Sequence, residues 1–197
     1  MSLSKETIIE ASLRVLNRDG INALVMRNIA KELNVKAASL YWHFRGKKDL
    51  YGEIAEYMCA GYQMPEENNN EDDFLTEAYQ AYRLMLLSVR DGVALLENSV
   101  PNTPIRKNII QVISNKLLQM GVSSNNLITI SNLLNNYVLS FVADECRYKN
   151  MPLEDLESFK CMLPKEDGAF LLRERDFDSQ FLYGLRVLFA GIKTIGE

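Results

Sequence analysis

Apolar positions recur at steps of three and four along nearly the whole chain, the spacing of a helix with one buried face. Ile9, Leu13 and Leu16, with Ile8, Ala11 and Val15 beside them, predict a helix over residues 5–19 that Gly20 ends as a left-handed cap. Ile29, Ala30 and Leu33 predict a second, short helix over about 26–33, followed by Asn34, a residue that tolerates positive φ. A third helix is expected over roughly 37–43. After Gly46 a fourth runs from Lys47 to about Met64, with Leu50, Ile54, Tyr57, Met58 and Gly61 on one stripe. "PEENNNEDD", residues 65–73, is polar and acidic behind a proline and predicts a solvated loop. Four long helical patterns follow at about 73–90, 105–120, 125–148 and 176–194, joined by a short segment at 93–98 and a helix-poor acidic stretch at 150–175. No strand-like alternation bounded by turn residues appears, and no internal repeat. The fold class is all-α.

Charge changes the picture at one end. Residues 1–50 hold nine basic and five acidic side chains, a net +4, whereas the remainder holds 13 basic and 21 acidic, a net −8. A basic head on an acidic body suits a head that meets a polyanion. Three cysteines, Cys59, Cys146 and Cys161, are odd in number and far apart. Neither a disulfide framework nor metal-ligand spacing follows from them, so a reducing cytoplasm is expected, with no metal and no cofactor. The charge-free segment Ser123 to Ala143 is broken by serines, a threonine and asparagines. It reads as a buried helix and not as a membrane span.

Within residues 26–44 the spacing becomes specific. Ala30 supplies a small side chain where two helices must approach closely. Asn34 occupies the tight turn four positions later, and Leu40 falls six beyond that on the inward face of the next helix. Small, turn-former, aliphatic at those intervals is the packing logic of a helix-turn-helix. The stretch "GINALVMRNIAKELNVKAASLYWHFRGKKDLYGEIA", Gly20 to Ala55, strongly resembles the DNA-binding head of the TetR family of repressors. "LLSVRDGVALLENSVP", residues 86–101, resembles the Arg-Asp-Gly turn region of the tetracycline-repressor branch. Leu133 to Glu145 and the closing "FLYGLRVLFAGI" resemble its two dimer-forming helices.

The resemblance implies a helix-turn-helix domain over 1–46 and a ligand-binding and dimerisation domain over 47–197, with 47–64 as linker helix. Ala37, Ala38 and Ser39 lead the recognition helix, where side chains reach base edges. Tyr41, Trp42 and His43 flank the groove and donate to phosphate, and Arg27, Lys36, Lys47 and Lys48 add charge-assisted phosphate contacts. Leu40 and Phe44 face inward. The family usually has Thr or Ser where this chain has Val25, which cannot cap the second helix; Asn22 and Asn28 are candidates to compensate. The glutamine/proline pair of the branch's recognition helix is replaced by Ala37-Ala38, so its operator is not carried over.

In the body, Leu127, Ile130, Leu134, Tyr137 and Phe141 repeat at steps of three and four, as do Phe177, Phe181, Leu185, Leu188 and Ile192. With Gly184 and Gly191 as a flat strip, the reading is a four-helix homodimer interface built on Leu134, Phe141, Phe181, Gly184, Leu185 and Leu188. The resemblance places an effector chamber among Gln63, Tyr79, Tyr82, Met85, Leu96, Ser99, Pro101, Asn136 and Tyr137. Two histidines with which the tetracycline repressor grips its magnesium–drug chelate are Gln63 and Leu96 here. Asp144 stays where an acid assists the metal. The chamber is therefore expected without the metal, its tyrosines suited to a flat, lipophilic, even cationic effector.

His43 is the chain's only histidine. As a general base it would need a nucleophile and an orienting acid; its sequence neighbours are basic, and no catalytic set appears elsewhere. The expected function is a homodimeric transcriptional repressor, released by a small molecule from a palindromic double-stranded operator, with no enzyme activity and no membrane partner. A helical small-molecule sensor or interaction module without DNA binding is the rival. Arg27, Tyr41 and Lys47 discriminate, because only a DNA-binding head needs all three exposed.

Overall fold

The computed structural model describes residues 3–67, 70–160 and 176–196. Ten α-helices run through them: α1 Lys5–Asp19, α2 Met26–Glu32, α3 Ala37–Leu40, α4 Lys47–Ala60, α5 Glu71–Leu87, α6 Gly92–Glu97, α7 Pro104–Gln119, α8 Leu127–Lys149, α9 Leu153–Lys160 and α10 Phe177–Gly196. No strand occurs among the described residues, so the all-α reading holds. The chain divides into two compact units, Met1–Met120 and Gly121–Glu197.

In the first unit α1 opens on a capping box: Thr7 N–H donates to Ser4 Oγ at 3.2 Å and Ser4 N–H donates to Thr7 Oγ1 at 2.9 Å. Its apolar face, Ile8, Ala11, Val15 and Leu16, is fully buried and packs on α2 and α4. Gly20 closes the helix with φ +83° and ψ 176°, a region open only to glycine; it is positive φ but not the left-handed helical cap expected. α2 ends in a Schellman motif. Val35 N–H reaches Ala30 C=O at 2.9 Å and Asn34 N–H reaches Lys31 C=O at 3.1 Å, with Asn34 itself at φ +54°. Ala30 and Leu40 are both buried and α2 packs on α3 across that turn, completing the helix-turn-helix.

Several boundaries differ from expectation. α3 stops at Leu40, and residues 41–43 tighten into a turn in which His43 N–H bonds Leu40 C=O at 3.0 Å. The linker helix α4 ends at Ala60, capped at Gly61, so Gln63 lies beyond it and short of Pro65. The acidic residues Glu71, Asp72 and Asp73 are not loop. They form the first turn of α5, where their charge meets the helix dipole and Asn70 caps Asp73 N–H at 2.9 Å. Glu56 of α4 ties down the start of α7, accepting from Ile105 N–H at 2.7 Å and Arg106 N–H at 3.3 Å.

In the second unit α8 packs on α10. Phe141 meets Phe181 edge-on at 5.1 Å, and Tyr137 stacks on Phe181 at 5.4 Å while donating its hydroxyl to Phe181 C=O at 2.8 Å. α9 occupies part of the stretch expected to be helix-poor; residues 161–175 lie outside the described ones.

Candidate functional site

Arg27 opens α2, Tyr41 follows α3 and Lys47 opens α4, and the helix-turn-helix folds all three around one hollow of about 290 Å³, floored by Leu24, Val25, Met26 and Leu50. Tyr51 of α4 holds the rim by donating to Leu24 C=O at 3.3 Å, and the Lys47 ammonium lies 5.0 Å over the Tyr51 ring. Val25 is the N-cap of α2 and supplies no side-chain bond. Asn28 does not replace the cap, since its amide donates to Ala23 C=O at 2.8 Å and accepts no helix N–H; the bond fixes the approach to the helix.

Three cations of the head are held in ion pairs and, among the described residues, the ones expected at phosphate are not. Arg14 and Arg18 both bond Glu32, at 3.2 and 2.9 Å, and Lys5 pairs with Glu53 at 3.1 Å. The guanidinium of Arg18, and after it that of Arg14, holds the Glu32 carboxyl below its usual range. Arg27, Lys36, Lys47 and Lys48 are all exposed and have no ion pair among the described residues. Tyr41 is 58% exposed and Trp42 90% exposed, so neither is held in place by packing within the chain. Ala38 is exposed beside them, and Ala37, Ser39 and His43 are half-buried. The His43 ring makes no hydrogen bond among the described residues, so no relay reaches it.

The effector-side residues separate. Tyr79, Met85 and Leu96 are buried in the first unit and Tyr82 and Ser99 half-buried, whereas Gln63 and Pro101 are exposed. Asn136 and Tyr137 belong to the second unit, Asn136 exposed and Tyr137 engaged with Phe181. Asp144 is exposed and pairs with Arg147 at 2.6 Å. Burial raises the phenols of Tyr62, Tyr79 and Tyr82 well above their ordinary value and pushes the Cys59 thiol up to about 11.

Of the residues expected at a dimer face, Leu134, Phe181 and Leu185 are fully buried within the single chain, and Phe141 and Leu188 are half-buried. Gly184 makes room for Tyr137 of its own chain: a Cβ there would collide with the Tyr137 ring and hydroxyl. The helical period had marked the apolar core stripe. The face left open is one step round, at Tyr183, Val187, Ala190, Gly191 and Thr194 on α10 and Leu133, Asn136 and Ser140 on α8.

Sequence reasoning missed two features. Arg106 is 8% exposed and in phase with Ile109, Ile113 and Leu117 on α7; a charge inside an apolar stripe was the available signal. The Arg90-Asp91 turn also bonds the head. Ile21 N–H donates to Asp91 Oδ2 at 2.8 Å, Arg90 N–H to Asn17 Oδ1 at 3.0 Å, and Arg90 Nη1 to Arg18 C=O at 2.6 Å. Asp91 holds this position at φ +55°.

Residues 8–54 match the profile of bacterial regulatory proteins of the tetR family, and residues 64–195 match the tetracyclin repressor-like C-terminal domain. The class G tetracycline repressor of Vibrio anguillarum is 37% identical over 105 residues, 52% of this chain; the match spans about half of that relative's length (50%). A TetR variant from Acinetobacter baumannii in complex with minocycline is 26% identical with a TM-score of 0.78, covering 100% of this chain and 99% of the other. BioQ with its natural double-stranded DNA operator is 25% identical with a TM-score of 0.73, covering 98% and 99%. The profiles cover both units from the first helix of the head to the last helix of the body, and the chain belongs to the TetR family of bacterial regulatory proteins.

Proposed function

We propose that the chain is a ligand-responsive transcriptional repressor that acts as a homodimer on a palindromic operator and is not an enzyme. One observation carries the reading: Arg27, Tyr41 and Lys47 line one hollow, the two cations without an ion pair among the described residues, and Trp42, next to Tyr41 in the chain, is left in water. That arrangement serves a polyanion and has no use in a sensor without DNA. The operator complex of BioQ and the minocycline complex of the Acinetobacter relative support the two halves of the reading. The DNA-binding role puts the protein with the chromosome, in the cytoplasm.

Two recognition helices reach successive major grooves only at a separation of about 34–36 Å. A second copy covering the open stripes of α8 and α10 sets that separation. α4 packs on α1, α6 and α7, so a ligand among those helices shifts the head through α4. The test is selection of bound duplexes from a random-sequence pool. A palindrome with half-sites about one helical turn apart is expected; recovery of no enriched sequence refutes the reading.

A further inference from the structure

The geometry points to an effector with an anionic group: Arg106, closed in among α4, α6 and α7, is the binding site for a carboxylate-type anion on a flat aromatic molecule. This rests on reading the helices of the first unit as the effector chamber, and it departs from the cationic effector that the tyrosines alone suggest.

A guanidinium carries five N–H donors in a planar fork and is never deprotonated in a protein. Arg106 is 8% exposed, yet only its Nη1 is used, donating to Ser99 Oγ at 2.9 Å and Val100 C=O at 3.1 Å. Its Nε and Nη2 donate to no group of the described residues, and no carboxylate lies within ion-pair distance of it. The acid nearest in the fold, Glu56, is committed to the Ile105 and Arg106 backbone N–H groups. The side chain as a whole is buried, which disfavours its charged form, while the unused Nε and Nη2 keep enough solvent contact to be reached by a ligand. The remaining donors form the fork that accepts a carboxylate or sulfonate side-on.

The surroundings fit the rest of such a ligand. The Cys59 thiol and the Tyr82 phenol lie close enough to Arg106 to feel its charge, and Tyr62 lies close enough to Tyr82. Neither thiol nor phenol ionises near neutral pH, because burial raises both, so neither supplies the missing negative charge. Tyr82 and Tyr62 supply aromatic surface beside one buried cation, and the Glu56 and Glu97 carboxylates act on the same group of side chains without pairing with it. Positive charge on a ligand would be repelled there, and a neutral ligand would leave the fork unused.

The experiment titrates the full-length protein with two fluorescent probes of one aromatic skeleton, anilinonaphthalene sulfonate and neutral N-phenylnaphthylamine. The wild type should bind the sulfonate at least about tenfold more tightly, and Arg106→Met should erase that preference by weakening the sulfonate alone. Arg106→Lys should keep part of it, since a point charge replaces a fork. Naphthoate should displace the sulfonate and naphthamide should not, a readout that needs no variant and survives a misfolded Arg106→Met. Equal wild-type affinity for both probes, or displacement by naphthamide as readily as by naphthoate, overturns the proposal while the chamber stands. Binding of neither probe overturns the chamber with it.

Discussion

The unpaired cations of the head give the most direct quantitative prediction. Arg27, Lys36, Lys47 and Lys48 are exposed and without ion pairs among the described residues. If each neutralises one phosphate, a dimer makes about eight such contacts, and log affinity should fall with log salt at a slope of about −7. Between 50 and 200 mM salt that is a loss of roughly four powers of ten. Arg27→Ala with Lys47→Ala removes about four contacts per dimer, halving the slope and leaving a loss of roughly two powers of ten over the same interval. The weakening should be alike on every duplex, because phosphate contacts read no sequence. The assay is fluorescence anisotropy of a labelled duplex across a salt series, with quenching of Trp42, the chain's only tryptophan, as an internal reporter. Thermal melting of the variant guards against a head loosened by loss of the Lys47–Tyr51 contact. A folded double variant with the wild-type slope would refute the assignment of these residues to phosphate.

Three further outcomes follow from packing and exposure. Gly92→Ala should destabilise the protein by about 2 kcal/mol or more in urea melts, since its Cβ would meet Leu86 C=O oxygen at 2.5 Å; at Gly61 the nearest atom is 3.5 Å away, and Gly61→Ala equally destabilised would sink the argument. Alkylation at pH 8 mapped by mass spectrometry should find exposed Cys146 modified and buried Cys59 spared until unfolding, because its thiol is pushed up to about 11; early labelling of Cys59 contradicts the burial. Val187→Glu on the open stripe of α10 should convert a dimer to a monomer by light scattering at micromolar concentration, and a wild type already monomeric rules the interface out.

The order of the longer helices was legible because an apolar stripe at period 3.6 needs no tertiary knowledge. The helix-turn-helix was legible for the same reason: Ala30, Asn34 and Leu40 act within one local motif, and Asn34 takes positive φ where it was expected to. What failed was whatever depends on a neighbour. The period of α10 gives its buried side without saying what buries it: within the single chain Phe181 and Leu185 are already buried and Gly184 accommodates Tyr137. α9 was missed because Glu154, Asp155 and Glu157 dominate it, and acidic composition was taken for loop. Arg106 was passed over because exposure is the default expectation for arginine. The α4 terminus was placed too late because Tyr62 and Met64 continue its apolar pattern beyond Gly61.

The cations of the head and Arg106 are linked through one helix, and that should make their occupants interdependent. Lys47 begins α4 beside the hollow of the head; Glu56, about 13 Å further along the axis at 1.5 Å per residue, fixes the start of α7 and hence Arg106. The Arg90-Asp91 turn gives a second mechanical link, since its bonds to Asn17, Arg18 and Ile21 hold the end of α1 to the start of α6. On the proposed reading, an anion drawn into the Arg106 fork should pull on α7, and α4 and the turn are the contacts through which the head should respond. Binding at the two places is then coupled, and coupling is reciprocal: if the sulfonate probe lowers DNA affinity by some factor, saturating DNA must lower probe affinity by that same factor. Measuring the probe dissociation constant with and without duplex, and the duplex constant with and without probe, closes the cycle. Equal factors above about fivefold support release through α4. Factors of one in both directions, with each ligand bound, mean that Arg106 binds anions without regulating the head.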